Sequence, residues 1–319
     1  MPTVSVPPLE ASLDRVREGL EARARLIAGR IGERLAGFVS RPGKMLRARF
    51  CVHLGAALDV PAPQAEACGR VAELVHNASL LHDDCVDEAT TRRGRATPNH
   101  LFGATTAILL GDLAFTQAMD GALALSVPAT QGLVEAVREM TVGELQEEFL
   151  RGSLSVTEDS YYGVAARKTG ALFEWCGRAM SDLSPLDHDR EAMPELGRTA
   201  GILLQVVDDI QDYTLAGVVS GKDPAKDLAG SRLTLPALLA LRDPETTERF
   251  TALWRDGASR PEAASELRRL LEEHGHLEEA RAKARELLER MLVLVRALPS
   301  AAEGRAMAGF IEAMARRQF

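Results

Sequence analysis

The stretch LLHDDCVDEATTRRG, Leu80 to Gly94, ends an apolar run in three aspartates, Asp83, Asp84 and Asp87, and then supplies Arg92, Arg93 and a glycine. On a helix, residues four apart share a face and an immediate neighbour is turned by roughly 100°. Asp83 and Asp87 therefore point the same way, with Asp84 to the side. Such a pair suits Mg²⁺, which prefers oxygen ligands and keeps waters that a phosphate can displace. Taken alone, the same pattern also fits a solvated, acidic helix end.

The pattern recurs. LLQVVDDIQDY places Asp208, Asp209 and Asp212 at the end of a second apolar helix. Two such clusters facing each other across one core would repel strongly without cations between them. The basic residues fall beside them, at breaks in the helical pattern. Arg92 and Arg93 follow the first cluster; Lys44 and Arg47 lie in GKMLR on the first turn of a helix. Lys168 and Thr169 lie in ARKTGALF, Lys222 opens a Gly-rich connection, and Arg232 follows it. Each alone reads as a surface charge. Together they suit diphosphate oxygens, which arginine meets with a fork and lysine with a point charge. Two anion sites are implied, one bridged by metal and one held by Arg, Lys and His. His76 lies two turns before Asp83 and Gln205 one turn before Asp208, so both are candidate anion contacts, whereas His53 and His82 read as structural.

The rest of the chain fits a helical enzyme. Hydrophobic residues make up 46% of its 319 residues but aromatics only 4%. Ala, Leu, Glu and Arg, all good helix formers, dominate. The net charge of −8 argues against a nucleic-acid partner, whose phosphates demand a basic face. Cys51, Cys68, Cys85 and Cys176 form no C-x-x-C pair and no secretory signal precedes them, which reads as reduced thiols in the cytoplasm. No apolar run approaches a membrane span: AILLGDLAF is broken by Asp112, so no stable membrane insertion is expected.

Proline-rich residues 1–10 read as a disordered lead-in and residues 11–319 as one all-α domain of ten or more helices. Leu13, Val16, Leu20 and Ala24 mark the first helix. A long helix from about Ala65 carries the first aspartates, and RRGRATPN is a break. Further helices are expected at about 100–125, 131–150, 157–180 and 190–213, with shorter amphipathic ones after Leu233.

Read in order, the motifs GKMLR, HNASLLHDDCVDEATTRRG, GELQEE, RKTGALF, LLQVVDDIQDY and GKDPAKDLAGSRLTLP resemble those of the trans-isoprenyl diphosphate synthases, the head-to-tail prenyltransferases. The resemblance runs over nearly the whole chain. It implies a helical bundle around a deep central apolar cavity, usually as a homodimer, with the two aspartate helices facing across the cavity mouth. It makes Asp83, Asp87 and Asp208 Mg²⁺ ligands, with Asp84, Asp209 and Asp212 in support. Three Mg²⁺ per site are implied, with Mn²⁺ able to substitute. Arg92, Lys168, Thr169, Gln205 and Lys222 would contact the allylic diphosphate; Lys44, Arg47, His76 and Arg93 would hold isopentenyl diphosphate; Arg232 would be a further substrate-binding residue. Three positions depart from the usual pattern: Glu147 stands where the family has glutamine, Leu204 where it has phenylalanine, and Arg232 where it has lysine.

The implied chemistry is ionisation of an allylic diphosphate, attack by the double bond of isopentenyl diphosphate, and proton loss to the departing pyrophosphate. Water must be excluded, since it would quench the cation. Before Asp83 the helix presents Ser79 and Ala78, then Val75, Ala72 and Val71, none aromatic. In the family it resembles, a large aromatic at the first of these levels blocks the tail, so the resemblance implies a medium-to-long all-trans product here, unless Phe115 or Met119 closes the wall from the other side. The alternatives are a farnesyl or geranylgeranyl synthase, a class I terpene cyclase, and a non-catalytic partner subunit. The cyclase needs no second-substrate cations, and a silent subunit would be expected to lose aspartates or cations that are intact here.

Overall fold

Pro61 and Pro63 start the helix that organises the molecule, α4 (Ala62–Val86). Proline suits the first turn because the N–H it lacks has no partner there. This computed structural model describes residues 8–27, 29–39, 43–92, 94–214, 232–256 and 261–316. Before α4 come α1 (Leu9–Arg25), α2 (Gly29–Val39) and α3 (Leu46–Ala57). After it come α5 (Pro98–Phe102), α6 (Ala104–Leu125) and α7 (Val127–Leu150). Next are α8 (Glu158–Ala165), a π-helical turn (Ala166–Gly170), α9 (Ala171–Leu183) and α10 (Ala192–Thr214). The last five are α11 (Leu235–Arg242), α12 (Thr247–Asp256), α13 (Pro261–Glu273), α14 (His276–Arg296) and α15 (Ala301–Arg316).

α4 lies along α6 for much of its length and also packs on α3, α1 and α9. Gly69 lets α3 approach closely, since a Cβ there would sit 3.1 Å from the Ala48 Cα. α10 packs on α9 in the same way: a Cβ at Gly197 would lie 2.1 Å from the Phe173 carbonyl oxygen. The main core gathers side chains from α1 to α4, α6, α9, α10 and the C-terminal helices around Phe50, Leu74, Leu81 and Phe173. A smaller apolar cluster joins Tyr213 to Phe250, Trp254, Leu267 and Leu270, and Leu233 packs against both.

The structure corrects several sequence expectations. The first helix begins at Leu9, inside the expected lead-in, whereas residues 1–7 lie outside the described ones. Helix α2 went unmarked. The break at RRGRATPN contains a two-strand antiparallel hairpin, β1 (Thr91–Arg92) and β2 (Arg95–Ala96), followed by α5. The single helix expected over 157–180 is α8, the π turn and α9. Lys44 is not on a helix turn: α3 begins after Met45, which holds a left-handed φ of 48°. Finally, by length and composition α6 is apolar enough to cross a membrane, despite Asp112. Asp112 interrupts the apolar run but not the helix.

Candidate active site

The first aspartate cluster ends α4. The Asp87 N–H still bonds the Asp83 carbonyl at 2.8 Å, and Glu88 then turns left-handed at a φ of 48°. The three side chains have separate surroundings. Asp83 is half-buried; burial first, and then the charge of Glu144, push its carboxyl up to about 6, while Lys168 and Arg92 oppose the rise. Asp84 is 0% exposed, and its Oδ1 accepts a 2.7 Å bond from Arg92 Nε. Asn99 donates to the Asp84 carbonyl at 2.8 Å, so this aspartate fastens the hairpin and α5 to the end of α4. Asp87 is exposed and accepts from Arg232 Nη2 at 3.0 Å.

The second cluster ends α10. Asp209, only 4% exposed, has both oxygens committed. Oδ1 accepts from Gln205 at 2.9 Å; Oδ2 accepts from the Tyr161 hydroxyl at 2.6 Å and from the Leu235 N–H at 3.0 Å. Burial pushes Asp209 up to about 7 although all three donors pull it down. Burial and Asp209 together push the Tyr161 hydroxyl well above its ordinary value. Asp208 and Asp212 are half-buried on the same helix end.

Residues 232–235 bring the clusters together. Arg232 grips Asp87 and the Leu235 N–H grips Asp209. Three residues of extended backbone span no more than about 10 Å, so one short segment touches both aspartate-bearing ends.

The π turn joins them a second time. Lys168 Nζ lies 2.6 Å from Glu144 and 2.6 Å from Glu147 on α7. Burial alone would lower the Lys168 ammonium; the two glutamates outweigh it and hold it above its ordinary value. The next residue, Thr169, donates to Gln205 Oε1 at 3.2 Å, and Gln205 passes the chain to Asp209. Lys168 thus serves the Asp83 side and Thr169 the Asp209 side. A π turn widens the backbone by one residue and recurs at functional sites. Here it is gripped from both flanks: a Cβ at Gly143 would meet Lys168 N at 2.7 Å, and one at Gly201 would meet the Gly170 Cα at 2.5 Å.

The expected second-substrate residues start from α3. Arg47 is 8% exposed, with its guanidinium 5.1 Å from the Phe173 ring centroid. Burial lowers its pKa, while Glu73 and Asp208 oppose that. Its Nε is buried without a hydrogen-bond partner, the sort of donor that an anion would satisfy. Glu73 also accepts from the Ala48 N–H at 3.1 Å, satisfying one of the opening donors of α3. Lys44 precedes α3, and half-buried His76 lies on α4 one turn beyond Glu73. Arg93 and Lys222 lie outside the described residues.

These donors are hard carboxylate oxygens, the type that Mg²⁺ selects. Among the described residues no three His, Cys, Asp or Glu side chains form a ready metal cage. Mg²⁺ does not require such a cage, because it is bound by one or two carboxylates plus substrate phosphates. The sequence marks GELQEE as a motif and Glu147 as a departure but gives neither Glu144 nor Glu147 a role in the site, although their three-residue spacing puts them on one face. Nor does it mark Tyr161, for which it carries no local signal. His53 stacks on Phe310 at 5.2 Å and His82 contacts Phe115 at 5.6 Å, in keeping with structural roles. An open apolar cleft of about 410 Å³ lined by Val52, Val60, Ala62 and Leu183 lies at the start of α4, the far end from the aspartates.

The sequence profile of the polyprenyl synthetase family matches residues 30–273. The octaprenyl diphosphate synthase of Haemophilus influenzae is 30% identical over 295 residues, 91% of this chain and 89% of that protein. The solved geranylgeranyl pyrophosphate synthase of Lactobacillus brevis aligns with a TM-score of 0.88 at 25% identity over 98% of both chains. The heptaprenyl diphosphate synthase of Staphylococcus aureus shares the fold, with a TM-score of 0.90 at 24% identity over 99% of this chain and 100% of that one. Paired aspartate helices, a cationic turn between them and a family profile over most of the length agree: the chain belongs to the polyprenyl synthetase family of prenyltransferases.

Proposed function

We propose that this chain is an all-trans polyprenyl diphosphate synthase, adding isopentenyl diphosphate to an allylic diphosphate up to a medium or long product. The observation that carries the reading is the π turn, which sets Lys168 and Thr169 between two aspartate-bearing helix ends. Asp83, Asp87 and Asp208, with Asp212, would hold the divalent cations, Mg²⁺ or Mn²⁺. Those cations would supply charge stabilisation to the leaving pyrophosphate. Arg92, Lys168, Thr169, Gln205 and Arg232, with Lys222, orient the allylic diphosphate; Lys44, Arg47, His76 and Arg93 orient the second one. Asp84 and Asp209 act through their partners, because the first anchors Arg92 and the second anchors Gln205 and the start of α11.

Chain length follows from α4. Ala78, Val75, Ala72 and Val71 are buried and carry no ring. Phe115 is engaged with His82, at the level of the aspartates. The octaprenyl synthase relative fits a long product. The working unit is a homodimer. On α7, Val127, Val134, Leu145 and Phe149 are all exposed, and their spacing places them on one stripe. Ile108, Leu109 and Leu123 on α6 are exposed as well. A soluble monomer rarely leaves so long an apolar face uncovered, and a second copy would cover it.

The test is to incubate pure protein with isopentenyl diphosphate, Mg²⁺ and allylic primers of increasing length, then measure product length. Elongation beyond geranylgeranyl diphosphate is expected. A product that stops at farnesyl diphosphate refutes the length assignment, and cyclic hydrocarbon without elongation refutes the synthase.

A further inference from the structure

Two of the departures from the family pattern touch each other. Arg232 Nε lies 3.4 Å from Glu147 Oε2, while Arg232 Nη2 bonds Asp87 at 3.0 Å. The same glutamate oxygen takes Lys168 Nζ at 2.6 Å. Glu147 thus ties together the cation of the π turn, the cation that opens the 232–235 segment and, through Arg232, the last aspartate of α4.

The residue types match this task. A glutamine at 147 would present one carbonyl oxygen and no charge to two cations. A lysine at 232 would bring a point charge in place of a planar fork that spans two carboxylates. Arg232 is half-buried, with Asp87 and Glu147 as its carboxylate neighbours at 3.0 and 3.4 Å. The Asp87 carboxylate is therefore shared with a neighbouring arginine, and any cation that Asp87 serves must compete with it.

We propose that Glu147 is a positioning residue: it anchors Lys168 and supplies Arg232 with a second carboxylate, so that Arg232 yields Asp87 to an incoming cation. The inference rests on the synthase reading for the role of Asp87 and goes beyond it in assigning Glu147 and Arg232 as a matched pair.

The experiment is a double-mutant cycle read on Mg²⁺ itself. Wild type, Glu147→Gln, Arg232→Gln and the double variant are titrated with MgCl₂ in the presence of inorganic pyrophosphate, and the midpoint of the thermal-stability rise is recorded. Glu147→Gln should weaken the Mg²⁺ midpoint by about three- to tenfold, because Arg232 settles on Asp87. Arg232→Gln should tighten it. In the Arg232→Gln background, Glu147→Gln should change it by less than about twofold. Equal effects of Glu147→Gln in both backgrounds overturn the pairing, since a general loss of negative charge acts with or without Arg232. In steady state, Glu147→Gln should raise the KM for the allylic diphosphate and leave that for isopentenyl diphosphate unchanged; an equal rise in both overturns the positioning role. A wild type with no Mg²⁺-dependent rise at all sinks the synthase reading of the site, and this inference with it. A wild type that responds to Mg²⁺ while the variants combine additively sinks the inference alone.

Discussion

At the scale of single residues, the six aspartates divide into two kinds. Asp83 is half-buried beside Glu144, and its carboxyl is raised to about 6. A raised folded-state value means that stability is fully present below the unfolded value, near 3.8, and is lost as pH rises through about 6. At neutral pH the charged Asp83 therefore destabilises the metal-free protein. Asp83→Ala should abolish turnover yet leave the metal-free melting temperature unchanged or higher, as a thermal melt in EDTA would show. Asp209→Asn should do the opposite to stability. It places an amide against the Tyr161, Gln205 or Leu235 donors, at a cost of about 1–3 kcal/mol for a buried group left mismatched. A melting temperature for Asp209→Asn equal to wild type would remove its anchoring role. His53 gives a separate pH test. Burial, helped by Arg49, lowers it to about 4 from 6.5. Its contribution is present above pH 6.5 and is lost as pH falls toward 4. His53→Phe should flatten that acid limb, measured by urea unfolding across the same range, and an unchanged limb would exclude His53 as its source.

At the scale of elements, the site depends on how closely α7 and α10 approach the π turn. Gly143 and Gly201 sit where a Cβ would collide with backbone rather than with a flexible side-chain tip. Gly143→Ala or Gly201→Ala must therefore displace Lys168 and Thr169. Overpacking of this kind costs about 1–3 kcal/mol. Both variants should keep their helical circular dichroism while the KM for the allylic diphosphate rises; unchanged kinetics would show that the turn tolerates displacement. The identities of Lys168 and Thr169 were legible in the sequence, but the turn was not. A π turn adds one residue to a helix without altering its composition or apolar spacing enough to mark it, so α8, the turn and α9 read as one helix. The Arg92 hairpin was hidden for a related reason: two strands of two residues are too short to show alternation.

At the scale of the whole molecule, two surfaces have predicted consequences. If the exposed apolar residues of α6 and α7 hold a second copy as proposed, Leu123→Glu combined with Val134→Glu should convert the proposed dimer to monomer in sedimentation velocity. A wild type that sediments as monomer would refute the dimer outright. The buried wall of α4 should set product length. Ala78→Phe puts a ring where Ala78 is now 0% exposed, among the side chains below the aspartates. It should shorten the product by one or more units, and an unchanged product distribution would mean that another wall sets the stop.

The sequence by itself determined what is local or periodic. That covers the helical class, the two aspartate clusters at helix ends, and the cations at the breaks between helices. Each of these is written within a few residues, in spacing and in side-chain chemistry. The tertiary structure alone decided which members of the site meet. Arg232 reaches Asp87 across 145 positions, and Tyr161 reaches Asp209 across 48. It also decided that Asp84 and Asp209 turn inward to anchor neighbours, although their motif positions match each other, and that Glu144 and Glu147 belong to the site. These choices depend on which helix faces pack together, and the burial that follows sets whether a carboxylate meets donors, a cation or water. No spacing along the chain encodes that.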